Sequence, residues 1–96
     1  LKKMSNKLVP LAVNTFEGLL AEYDEKNDKD ALAFYEKALK LPFSEAYTKE
    51  YHGFAYSGIA RIAARANDRN RAKMFYKKAL AVSEYKSLIR EAKAYR

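Results

Sequence analysis

At 96 residues, 49% of them hydrophobic and 32% charged, the chain has material for one domain. The absence of cysteine excludes disulfides and thiolate metal centres. With only three glycines and two prolines, the composition favours helices over many short strands. The net charge of +7 is uneven: residues 1–50 carry eight Lys/Arg against nine Asp/Glu and residues 51–96 eleven against three, so the second half asks for an acidic peptide, a nucleic acid or an anionic surface.

In chain order, residues 1–9 are basic and weakly patterned. Pro10 is unfavourable inside a helix by about 3 kcal/mol, which predicts a first helix starting near Lys7 or Leu8, with Pro10 in its first turn, and running to about Lys26. Its apolar face reads as Leu11, Thr15, Phe16, Leu19, Leu20 and Tyr23. The polar stretch from Asp24 to Asp28 ends it, and Asp28 is placed to cap a second helix over 29–41. That helix buries Ala31, Leu32, Phe34 or Tyr35, Ala38 and Leu39 and stops at Pro42. Ser44 is a cap for a long third helix over 45–66. The turn Asn67-Asp68 follows, then a fourth helix over 70–82. A fifth helix over 84–96 either is capped by Ser83 or continues the fourth, since no glycine or proline separates them. No run approaches the ~18 apolar residues of a transmembrane segment. The start at Leu1 instead of Met reads as a fragment or a processed chain. Localisation is unknown, with a soluble, cytoplasmic protein as the default.

Two segments repeat at a spacing of 41 residues: Ala31-x2-Phe34-Tyr35-x-Lys37-Ala38-Leu39 and Ala72-x2-Phe75-Tyr76-x-Lys78-Ala79-Leu80. Each follows an Asn-Asp pair. With Phe16-x2-Leu19-Leu20-x2-Tyr23 and Tyr56-x2-Ile59-Ala60-x2-Ala63 ahead of them, the two copies resemble the tetratricopeptide repeat, and Leu88-x2-Glu91-Ala92-x2-Tyr95 resembles the opening of a third. The resemblance implies an all-α fold, an α-solenoid-type stack of antiparallel helix hairpins. It would be a single domain over 1–96 with a hairpin over 8–42, a hairpin over 44–83 with an extended first helix, and a terminal helix over 84–96. Against the family pattern, Leu20 in place of a small residue predicts a wider first helix pair, and the first turn reads as one residue shorter than the second. Tyr47 to Gly53 add turns expected to project beyond the stack or to pack on residues 1–9.

The resemblance implies a non-enzymatic protein-interaction module whose first helices line a groove. Asn14, Glu17, Ser57, Arg61, Arg65 and Lys93 would line it. Because arginine forks onto carboxylates, the expected ligand is an acidic or amphipathic peptide. The Lys and Asn constellation with which the family clamps chaperone tails is not present. Tyr47, Tyr51 and Phe54 share one helical face. They are either an exposed aromatic contact patch or core covered by Met4, Leu8 and Val9 or by Phe43. Arg69, Lys73 and Lys77, with Lys78 beside them, form a basic stripe that is a solvated face or an anion site. Nucleic acid is the less favoured partner, because no dedicated reading module accompanies the stripe. A structural or self-associating end of a longer solenoid is the remaining alternative. The single histidine, His52, has no Cys, Ser or carboxylate constellation around it in sequence, so no catalytic residue, cofactor or metal is expected.

Overall fold

The structure, a computed structural model, describes residues 2–41 and 49–95, with side chains from Pro10 onward. The described residues form five helices and no strand: α1 (Lys2–Tyr23), α2 (Asp28–Leu39), α3 (Lys49–Arg65), α4 (Arg69–Val82) and α5 (Lys86–Ala94). The all-α class is therefore as expected. Pairs α1–α2 and α3–α4 are the hairpins. α3 packs against both α1 and α2, and α5 packs against both α3 and α4.

The repeated alanines and tyrosines form the core. Ala31, Tyr35, Ala38, Ala72, Tyr76 and Ala79 are all buried, and Tyr35 is the largest fully buried side chain. Two glycines make room for it. A Cβ at Gly18 of α1 would lie 2.6 Å from Tyr35 Cε1, and one at Gly58 of α3 would collide with the opposite ring edge at Cε2. The Tyr35 ring is thus seated between two helices that approach it through bare backbone.

Several elements differ from their sequence expectations. The first helix begins at Lys2, not near Lys7, and runs through Pro10. Pro10 removes one backbone hydrogen bond from this helix without ending it. The buried face of α1 is Leu11, Thr15, Gly18, Ala21 and Glu22, while Phe16, Leu20 and Tyr23 face outward. With Glu22 in place of Tyr23 as the last position of the pattern, its separation from Ala31 equals that of Ala63 from Ala72. The shorter first turn disappears, and Leu20 has no part in spacing the hairpin. The second helix is capped by Asn27, whose side chain accepts from the Asp30 N–H at 3.1 Å, and Asp28 is its first residue. Both side chains can cap; Asn27 follows Lys26 at φ 53°, and that left-handed residue turns the chain so that Asn27 meets the open helix end. At the second turn Asn67 takes φ 63°, Asp68 N–H bonds Ala63 O at 2.9 Å, and Asp68 caps α4.

The fifth helix is separate from the fourth and shorter than predicted. Ser83 turns extended at ψ 141°, ends α4, and accepts the Tyr85 N–H on its Oγ at 3.2 Å. The described part of the inserted turns does not project. His52 and Gly53 are buried, and Glu50 accepts from both Ser83 Oγ and the Glu84 N–H at 2.7 Å. Lys49 pairs with Glu84. The extension of α3 therefore braces the α4–α5 corner. Ser44 and Tyr47 lie outside the described residues.

Candidate functional site

One chain of polar side chains joins all five helices. Tyr35 of α2 donates to Glu22 of α1 at 2.7 Å. Arg61 of α3 reaches the same carboxylate through Nε (2.8 Å) and Nη2 (2.9 Å). Its Nη1 then forks onto both oxygens of Glu91 of α5 at 2.9 and 2.7 Å. Tyr76 of α4 donates to Glu91 at 2.8 Å. Arg65 adds a second cation, bridging Glu22 (2.8 Å) and both oxygens of Asp28 (2.8 and 2.9 Å). The repeat explains the symmetry: Tyr35 and Tyr76, equivalent by sequence, each point a hydroxyl at a carboxylate, and Arg61 lies between the two acids.

Burial makes this network costly to disturb. The Glu22 side chain is 1% exposed and that of Arg61 15%. Desolvation pushes the Glu22 carboxyl up. The hydrogen bonds and charge of Arg61, with those of Arg65 and Tyr35, overrule it and hold the carboxyl below its usual range. Burial and the adjacent carboxylates raise the Tyr35 and Tyr76 hydroxyls well above the ordinary tyrosine value, so both remain donors. For Arg61 desolvation works against the charge, and the two carboxylates more than offset it.

The residues expected to line a groove do not form one cluster. Ser57 is fully buried, and its Oγ has no hydrogen-bond partner among the described residues, so it faces no ligand. Arg61 and Arg65 are engaged by carboxylates of the same chain. Asn14 donates to the Pro10 carbonyl at 2.9 Å. Glu17 is exposed. Lys93 lies on the far side of α5 from Glu91, where it lines a shallow depression with Lys86, Ile89, Arg90 and Ala94. In the aromatic patch, Tyr51 is half-buried and edge-on to Phe16 at 6.0 Å, and Phe54 is edge-on to Tyr85 at 5.5 Å. They point to different neighbours and are no single surface. His52 is buried, its Nε2 2.8 Å from the Leu41 carbonyl, and desolvation lowers its pKa.

What the molecule does expose is a stripe of α1. Val13, Phe16, Leu20 and Tyr23 are each 48–55% exposed and recur at three- and four-residue steps. That is the spacing with which one helix seats another. They lie on the other side of the helix from the buried Leu11, Thr15, Gly18 and Glu22, so α1 shows an apolar face away from its packed one. The stripe is anchored to α3, with Phe16 on Tyr51 and the Arg61 guanidinium 5.2 Å from the Tyr23 ring centroid. Glu17 and Asp24, one turn beyond Val13 and Leu20, flank it with negative charge. Contiguous apolar surface of this kind marks contact sites in folded proteins. In sequence Phe16, Leu20 and Tyr23 read as core, because periodicity identifies an apolar face without saying which side is covered.

Compared with protein-family models, curated proteins and solved structures, the chain matches nothing. Among the described residues no helix is long and apolar enough to cross a membrane.

Proposed function

We propose that this chain is a non-enzymatic protein-interaction module, a short stack of tetratricopeptide-like hairpins that takes up an amphipathic helical segment along α1. The single observation that carries the reading is the exposed stripe Val13, Phe16, Leu20 and Tyr23, set away from the buried face of the same helix. The stack is supported by the way α3 seats on the first hairpin and α5 on the second. The polar network supports a scaffold role: it ties the five helices at one point and leaves α1 rigidly mounted.

This reading moves the contact away from Arg61 and Arg65. Their charges are satisfied internally, so an acidic peptide would have to displace Glu22, Asp28 or Glu91 to reach them. The ligand favoured here is apolar along one helical face and basic beside it, where it meets Glu17 and Asp24.

Selection from a displayed library of helical peptides tests the proposal. Enriched peptides should carry apolar residues at three- and four-residue steps. Their affinity should fall at least tenfold for Phe16→Asp and Leu20→Asp, with the helical circular dichroism unchanged. No enrichment, or equal binding by the variants, refutes it.

A further inference from the structure

The large apolar side chains exposed among the described residues fall in two patches, apart from Tyr85 at the α4–α5 corner. One is the α1 stripe. The other is the outer face of α4, where Met74 (47% exposed) and Leu80 (38%) alternate with Lys73, Lys77 and Ala81, all exposed. Positions 73, 77, 80 and 81 and Met74 share one side of the helix. The two patches are opposite in charge, Glu17 and Asp24 beside the first, Lys73 and Lys77 within the second. Among the described residues none of these four has an ion-pair partner. Each patch runs roughly 12–15 Å along its helix, at about 1.5 Å per residue. α1 and α4 do not touch each other, so both faces are open in one molecule.

From this complementarity we infer that the occupant of the α1 stripe is the outer face of α4 on a second copy of this chain. The inference rests on the reading of α1 as a docking face. Phe16 and Leu20 of one copy meet Met74 and Leu80 of the next, and Glu17 and Asp24 meet Lys73 and Lys77. The contact is heterologous: each copy still offers a free α4 and a free α1, so it propagates into open chains unless the geometry closes a ring. One helix against one helix is a small interface, so association is weak and concentration-dependent. The net charge of +7 opposes it at long range. At about 0.15 M ionic strength that repulsion is screened beyond ~8 Å, whereas the contacting pairs are closer than this.

Two charge-swapped variants test the arrangement. Glu17→Lys/Asp24→Lys spoils only the α1 face, and Lys73→Glu/Lys77→Glu only the α4 face. By sedimentation velocity at about 0.15 M salt, the parent should form concentration-dependent oligomers, and each variant alone should associate at least tenfold more weakly. An equimolar mixture should recover concentration-dependent oligomers, because the intact α4 of the first variant binds the intact α1 of the second and the two reversed faces are again opposite in charge. A monomeric parent at its highest soluble concentration, undiminished association of either variant, or a mixture that stays monomeric overturns the inference. If the parent is monomeric while displayed helical peptides still bind through Phe16 and Leu20, the docking face stands and only the second copy is refuted.

Discussion

Arg61 meets Glu22 through two parallel hydrogen bonds, Nε to Oε2 at 2.8 Å and Nη2 to Oε1 at 2.9 Å, across 39 residues of sequence. The pair lies between the two hairpins, and Glu22 is almost wholly buried. Removing one partner leaves a charge desolvated and under-compensated. Glu22→Leu and Arg61→Met are each expected to cost roughly 3–5 kcal/mol in urea unfolding. The double variant should cost clearly less than the sum, since it removes both charges together. Costs that add within about 0.5 kcal/mol would mean the two groups do not depend on each other.

Gly58→Ala should destabilise the protein even though alanine is the better helix former by roughly 0.5–1 kcal/mol. The added methyl would enter the Tyr35 ring from one edge while Gly18 closes the other. With no direction for the ring to move, a net loss of about 1–3 kcal/mol is expected. Gly53→Ala meets Ser83 Cβ only at 3.0 Å, and the same urea titration should show a smaller change. A Gly58→Ala protein at least as stable as the parent would show that the ring is loosely held.

Stability should fall in two stages as pH drops. The pKa of folded His52 is lowered by burial, so its contribution is complete above the unfolded value of about 6.5 and fades as pH falls toward the lower folded one. The folded carboxyl of Glu22 also titrates below its unfolded value of about 4.3, so its contribution is complete above that pH and is lost as pH falls through the folded value. Urea midpoints measured from neutral to acidic pH should show a shallow loss followed by a steep one. His52→Gln should remove the first and Glu22→Gln should reduce the second. Unchanged profiles in both variants would contradict the burial of these groups.

The helical repeat was legible because it depends on short-range rules. The matching Ala-x3-Tyr-x2-Ala runs at 31–38 and 72–79 needed small residues where helices approach and a large one between them, and those six positions are buried. The first helix was misread for an equally physical reason. It carries apolar residues on two faces, and Phe16, Leu20 and Tyr23 outweigh Thr15, Gly18 and Glu22 in hydrophobicity, although the latter three are the ones enclosed. A clue was available: Glu22 continues the row Leu11, Thr15, Gly18, and a carboxylate on a buried row implies a cation from elsewhere in the chain.

The charge asymmetry teaches the same lesson. A basic second half predicts an external acid, yet Arg61 and Arg65 find Glu22 and Asp28 in the first half. Composition along the chain cannot distinguish charge directed at a partner from charge directed across the fold.

By itself the sequence determined an all-helical chain and the buried alanines of its repeated segment, since backbone hydrogen bonding and periodic burial act over a few residues. Only the tertiary structure decided which face of α1 is covered, which carboxylates Arg61 joins, and which apolar stripe is left open. Those outcomes depend on residues some 30–40 positions apart meeting at fixed angles, and no local pattern carries that information.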